Sequence, residues 1–302
     1  CTNNANCATL AYNIAPPPPP PIPLIVSTMG NNSNASWLVQ NVFFAGCSQV
    51  SDMIYSGHAD AIGYFSNGVS LGIPEGIILS SGAATSAMGP NDSTGVTSAF
   101  GTQGDANLTA LTALTPCGSP TSTLDAAVIE FTFVPLTTTV QFQYVFASDE
   151  YPEYVCSSFN DVFGFFISGP GVPMQNIALI PGTNTYVGLN TVNSTNNSSY
   201  YNTNPVGSIL TQFDGYTDVM TATVTGLTPC QPYNIKLAVA DGGDSILDSA
   251  VFLAANSFDA GNVVFAVAVG THRGIAQTGR HGLAMHAGGK DLRFFLVTGS
   301  AG

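Results

Sequence analysis

Two short stretches gather most of the side chains able to do chemistry. The first is Ala147-Ser148-Asp149-Glu150-Tyr151-Pro152-Glu153-Tyr154-Val155-Cys156-Ser157-Ser158-Phe159-Asn160-Asp161, and the second is Asp241-Gly242-Gly243-Asp244-Ser245-Ile246-Leu247-Asp248. Each lies between two apolar strands. Only 8% of the 302 residues are charged, so acids concentrated at strand ends need a reason. Hard cations take six to eight oxygens from carboxylates, amides and backbone carbonyls. Asp149, Glu150, Asn160, Asp161, Asp241, Asp244 and Asp248 form such a set, and Gly242 and Gly243 let the backbone turn tightly enough to aim carbonyls inward. The expectation is a calcium ion where loops 148–161 and 241–248 meet. The spacing is not that of an EF-hand. Solvated turn acids with capping hydrogen bonds are the plainer reading. A third is an acid–base pair such as Glu150 and Asp244 acting on a glycosidic bond. A serine triad is weaker still, because His58 is the only histidine in residues 1–260 and no GxSxG occurs. No catalytic residue is therefore assigned.

The surrounding chain narrows the classes. With 18 Asp and Glu against 5 Lys and Arg, the net charge is −13. A chain so poor in cations does not hold nucleic acid through phosphates, nor attract anionic lipid. No apolar run approaches the roughly 20 residues of a membrane span. A hydrophobic fraction of 45% argues against disorder, while 32 Gly and 19 Pro argue against a helical bundle. The charge is unevenly placed. Residues 1–270 carry a net −16, and residues 271–302 carry +3 with Arg273, Arg280, Lys290, Arg293, His272, His281 and His286. The histidine spacing there fits no metal-ligand motif.

The six cysteines are Cys1, Cys7, Cys47, Cys117, Cys156 and Cys230. None forms a CxxC pair, so they read as disulfides of an oxidising compartment. Strand 139–147 runs toward the loop holding Cys156. Its antiparallel predecessor, 126–134, starts at that end shortly after Cys117. The pair Cys117–Cys156 is therefore expected. Cys230 begins the strand that ends at Asp241, at the opposite pole, and is expected to pair with Cys1, Cys7 or Cys47. A lipid anchor on Cys1 is a further reading, as is prior removal of a signal peptide.

The elements that must position these residues are strands. Val140, Phe142, Tyr144 and Phe146 alternate on one face, and Ala127–Val134, Phe163–Ile167, Val219–Val224, Tyr233–Ala240 and Val251–Leu253 continue the pattern. Short strands separated by Gly, Pro, Asn and Asp predict an all-β, antiparallel, jelly-roll-like β-sandwich over residues 31–259. A helix is expected over 36–43, capped by Ser36 and burying Leu38, Val42 and the edge of Trp37. The Asn-, Ser- and Thr-rich stretch 190–204 reads as a solvated loop. The sequons at Asn31, Asn34, Asn91, Asn107, Asn193, Asn196 and Asn197 read as exposed. Residues 1–30 form an extended arm around six consecutive prolines, Pro16 to Pro21. Residues 260–302 form a small C-terminal β segment or the start of a further module.

Several segments together resemble the choice-of-anchor L domain of secreted bacterial proteins. They are Leu38–Val42, Ala61–Phe65, Gly76–Gly82, Asp125–Phe131, Phe159–Phe166, Asn176–Asn184 and Asp248–Leu253, in order over roughly residues 36–258. The resemblance implies a secreted or surface-displayed, non-catalytic module. The leading expectation is an extracellular structural or adhesive protein, assembling head-to-tail with copies of itself through its arm or with other surface proteins. The alternative is a calcium-dependent carbohydrate-binding module or glycoside hydrolase.

Overall fold

A computed structural model describes residues 22–28, 32–44 and 49–261, with short strands at 265–266, 284–287, 290–293 and 295–296. The proline run, Cys1, Cys7, Cys47, Asn31 and most of the basic segment lie outside the described residues.

Thirteen strands make two antiparallel sheets: β1 (Ile25–Thr28), β2 (Gln49–Ser56), β3 (Ile62–Ser66), β4 (Gly76–Ser80), β5 (Thr123–Val134), β6 (Thr139–Ser148), β7 (Val162–Gly169), β8 (Val172–Asn176), β9 (Tyr201–Thr203), β10 (Gly215–Thr217), β11 (Met220–Thr225), β12 (Tyr233–Gly242) and β13 (Ser249–Ala254). One sheet has the order β1-β3-β4-β13-β6-β10-β9, with β11 also on β6, and the other has β2-β5-β12-β7-β8. The chain is an all-β sandwich.

The period-two pattern does what it predicts. Val140, Phe142, Tyr144 and Phe146 of β6 join Ile129, Phe131 and Phe133 of β5, Phe163 and Phe165 of β7, and Leu237 and Val239 of β12 in one buried core. Rings meet across the sheets, Phe142 with Phe165 and Phe146 with Phe163, each at 5.0 Å between centroids. At one end Phe258 touches Phe43, Phe44, Phe131, Phe133 and Phe142 at 4.4–5.7 Å. Two smaller clusters cover the outer faces. Leu24, Val26, Phe65, Ile78, Val145 and Phe252 bury the back of the first sheet. Leu108 and Leu111 of α2 (Ala106–Thr112) cover Val128, Phe166 and Ala238 on the back of the second. Asp105 caps α2 by accepting from the Asn107 and Leu108 amides, and its carboxylate pairs with Lys236.

Several expectations change. Strands β5 and β6 are not ladder neighbours. They sit in different sheets, so the turn between them crosses the sandwich. β1 precedes residue 31 yet pairs with β3, Ile25 opposite Ser66 through Thr28 opposite Gly63, so it belongs to the sandwich and not to the arm. The helix begins earlier, as α1 (Asn32–Leu38), and runs into a wider turn over 39–43 closed by the Phe44 amide on the Val39 carbonyl at 3.2 Å. Ser36 is therefore inside the helix, and Trp37 is exposed while Leu38, Val39, Val42 and Phe43 are buried. The stretch 190–204 is not simply solvated. Asn190, Thr191, Val192, Asn193 and Asn204 are buried, because their amides satisfy an irregular backbone: Asn193 Oδ1 accepts from the Thr195 and Asn196 amides, and Asn204 Nδ2 donates to the Thr211 and Phe213 carbonyls. Asn91 is buried for the same reason, donating to the Asn204 carbonyl and the Asp214 carboxylate at 2.7 Å each.

Candidate functional site: an acidic pole

The core changes character along the strands. On β12 the inward positions run Tyr233, Ile235, Leu237, Val239 and then Asp241. On β7, read toward its start, they run Ile167, Phe165, Phe163 and then Asp161. β12 and β7 pair with Ala240 opposite Val162, so the next position sets Asp241 against Asp161. The Asn160 amide bonds the Gly242 carbonyl at 3.0 Å, which continues the ladder to that point. In the other sheet Ser249 faces Ser148, and the Asp149 amide bonds the Asp248 carbonyl at 3.1 Å. Two pairs of acids, one in each sheet, therefore end the sandwich at the same pole. Ser249 Oγ bridges the sheets, donating to Asp161 Oδ2 at 2.6 Å.

Asp149, Glu150, Asn160, Asp161, Asp241 and Asp248 are all buried, so these are not solvated turn acids. Burial pushes the carboxyl of Asp149 up to about 8, aided by Asp214 and Asp248. It pushes Asp248 up to about 6. Glu150 and Asp161 are also raised by burial first and then by neighbouring acids: Asp161, Asp244 and Asp149 act on Glu150, and Asp248 and Asp244 act on Asp161. Asp241 is raised by burial and by Asp161, with the Ser81 hydroxyl opposing.

The members differ in what their oxygens already do. Asp161 is tied at both, to the Gly242 amide at 2.9 Å and to Ser249. Asp244 is half-buried and accepts from the Ile246 amide at 3.2 Å. Asp248 accepts from the Ser98 amide through Oδ1, while Oδ2 has no partner. Its carboxylate lies against Gly82, where a Cβ would come within 1.7 Å of Oδ2. Glu150 Oε2 and Asp149 Oδ1 are buried without a hydrogen bond, and neither oxygen of Asp241 has one of good geometry, although the Ser81 hydroxyl lies near enough to lower its carboxyl. Asn160 Oδ1 is also unpaired, but its amide is directed to Tyr186, in the cluster beneath α2. Gly243 takes a φ of +103°, and a Cβ at Gly242 would meet the Asn160 carbonyl at 2.1 Å, so the turn between the acids needs both glycines.

Two acids of this pole escape notice in the sequence. Asp125, held in the left-handed region at φ +48°, accepts from the Phe100 and Thr102 amides and raises Asp241 and Asp248. Asp214 is buried beside Asp149 with one unpaired oxygen. Asp125 is a lone acid and Asp214 has only Asp218 nearby, so neither has the density that marks the two loops. Among the described residues no group of three or more His, Cys, Asp or Glu side chains is placed to hold a metal ion.

A disulfide joins Cys117 to Cys156 beside this pole, with the Cys156 amide held by Asn190 Oδ1 at 2.6 Å. Cys230 is exposed and carries no disulfide among the described residues. Two surface cavities lie elsewhere. One of about 310 Å³ is lined by Trp37, Tyr64, Glu75 and Asn41, and one of about 320 Å³ by Gln141, Gln143 and Asp259. No helix among the described residues is long and apolar enough to cross a membrane.

Comparison with known proteins gives one match. No curated protein and no solved structure matched the chain. The sequence model of the choice-of-anchor L domain covers residues 26–259, from β1 through the close of the sandwich at Phe258. That is most of the chain and all of the acidic pole. This protein belongs to the choice-of-anchor L domain family, whose members are surface-associated bacterial proteins.

Proposed function

We propose that the chain is a non-catalytic structural subunit of the bacterial surface, and that copies join by passing β1 from one sandwich to the next. The observation that carries this reading is β1 itself. It is a four-residue edge strand whose only ladder partner among the described residues is β3, and Leu24 and Val26 fill the outer cluster while Ile25 stays exposed. An edge position of this kind accepts a strand from another chain as readily as from its own. The sequence before it, Pro16 to Pro21 and Pro23, resists folding back, and at about 3.1 Å per residue in polyproline II it spans on the order of 19 Å. The net +3 of residues 271–302 complements the −16 of the remainder, and contact between unlike ends builds open chains, not closed rings. The burial of Glu150 supports the non-catalytic reading, since a buried acid does not reach a substrate at the surface.

The test is assembly. The full chain at high micromolar concentration should form linear particles visible by electron microscopy, and removing residues 1–28 should abolish them. A full chain that stays monomeric by sedimentation, or particles unchanged by the deletion, would end the proposal. A second reading has one observation in its favour. Trp37, exposed over the cavity with Tyr64 and Glu75, offers the aromatic and polar surface that a saccharide uses. Trp37 is the chain's single tryptophan, so quenching of its fluorescence by surface glycans reports this directly.

A further inference from the structure

We infer that Lys236 and Asn107 become joined by a covalent amide bond between their side chains, with Asp105 carrying the protons, so that the chain cross-links itself beneath α2. Lys236 is the only Lys or Arg in residues 1–270, and it is buried. Lysine is almost never buried unless paired, and a chain this short of cations keeps its one body cation away from the surface. The residue across the ladder on β5 is Glu130, an ordinary partner for a strand lysine. The Lys236 ammonium pairs instead with Asp105 and with Asn107 Oδ1 at 2.9 Å, both at the start of α2. Phe166, in the cluster that Leu108 covers, stands 5.8 Å from Nζ at its ring centroid. A buried ion pair alone adds little stability. The third member, an amide whose carbonyl faces the amine, turns the pair into a reaction site.

Each part needed for acyl transfer is present. Nζ lies within about 4 Å of Asn107 Cγ, because it is 2.9 Å from Oδ1 and a carbonyl bond adds about 1.2 Å. A small side-chain rotation closes that gap to the roughly 3–3.5 Å of a productive approach. Asp105 Oδ1 accepts from the Asn107 and Leu108 amides, so the carboxylate is fixed while Oδ2 receives a proton from Lys236. That leaves a neutral amine, whose lone pair attacks Cγ. A second Nζ proton reaches Nδ2 by way of Asp105, the Cγ–Nδ2 bond breaks, and ammonia departs. The third proton stays on the new amide. Ammonia takes the proton left on Asp105 and leaves as ammonium, which restores the carboxylate. Asn107 Nδ2 donates to the Met174 thioether at 3.5 Å, a weak acceptor on a residue 58% exposed, so the leaving group has a path to water. The step consumes no other reagent. The bond would close a loop across 129 positions and tie α2 to the centre of the second sheet.

This inference is independent of strand exchange, and its test reads covalent structure in place of assembly. The full chain, folded, then reduced and denatured, should weigh about 17 Da less than its sequence, the mass of one ammonia. Trypsin does not cut after an acylated lysine, so the denatured chain should stay intact between Lys236 and Leu237 and give a fragment ending at Arg273. Asn107→Ala and Lys236→Arg should each show their full sequence mass and be cut after residue 236. Asp105→Ser keeps a capping oxygen but has no carboxyl, so it should fold and also show its full mass. A parent chain at full mass and cut after Lys236 would overturn the inference. So would a loss of about 18 Da with Lys236 joined to Asp105, which is condensation with loss of water. A deficit that leaves Lys236 cleavable, as a succinimide at Asn107 would, or one that survives in Asn107→Ala, overturns it as well. The parent measurement requires no variant to fold and decides by itself.

Discussion

Truncating Leu24 and Val26 to alanine together tests how firmly β1 is held. Both side chains are buried, at 2% and 6% exposure. Burying them stabilises by about 3–6 kcal/mol, and the short ladder to β3 adds roughly 2–4 kcal/mol. Ordering residues 24–28 costs about 1–2 kcal/mol each, or about 5–10 kcal/mol in all. The balance is close to zero, so β1 docks marginally even in the intact protein. The double truncation removes about 4 kcal/mol at roughly 0.8 kcal/mol per CH₂. Hydrogen exchange reads the outcome. In the parent, the amides of Ile25–Thr28 should be protected less than about 100-fold, well below β4 and β13. In the variant they should exchange as an unfolded chain does, while Tm moves by less than about 4 °C. The alternative is a β1 that belongs to the cooperative unit. Then the same loss would lower Tm by about 8–16 °C and β1 would open only together with β4. That result would remove the energetic basis for strand exchange.

Phe258→Ala should cost about 3–5 kcal/mol by emptying the centre of the five-ring contact with Phe43, Phe44, Phe131, Phe133 and Phe142, measured by urea unfolding. Cys117→Ser should cost about 4 kcal/mol from the chain entropy of a 39-residue separation, and peptide mapping without reduction should show the Cys117–Cys156 link in the parent. Lys236→Met should destabilise by about 2–4 kcal/mol by stranding Asp105, and adding Asp105→Asn should recover part of that loss; strict additivity in the double-mutant cycle would mean the pair contributes nothing. Stability should fall as pH rises. Asp149 titrates near 8 in the fold against an ordinary value near 3.8, so between those values the folded state holds the extra proton. The loss is about 1.4 kcal/mol per pH unit, or about 3 kcal/mol from pH 5 to 7, and a flat thermal melt across that range would contradict it.

Local pattern was legible and long-range pairing was not. Val140, Phe142, Tyr144 and Phe146 declare their strand because alternation is a property of adjacent residues. Nothing adjacent tells β6 that its partners are β13, β10 and β11 in place of β5, since that choice depends on residues distant in sequence. The acid loops stood out because their density is unusual in a chain this poor in charge. Their burial did not, because a turn of Asp and Gly looks the same whether it meets water or another sheet. Asn91 and Asn193 misled for a related reason. The side chains that mark solvated loops also satisfy buried irregular backbone. Asp125 was invisible as a member of the pole because a single acid inside an apolar strand carries no periodic signature.

The disulfide and the acids share one end of the sandwich, and the packed phenylalanines hold the other. The aromatic end needs nothing but water to form. The acidic end depends on its surroundings: an oxidant to join Cys117 to Cys156, and protons on the carboxyls that burial raises, Asp241, Asp161 and Glu150. A reducing cytoplasm does not supply that oxidant, and the space outside the cell does. Maturation thus acquires a direction. The second end is latched only where its thiols can be oxidised, so rigidity at that end reports the redox state of the compartment the chain occupies.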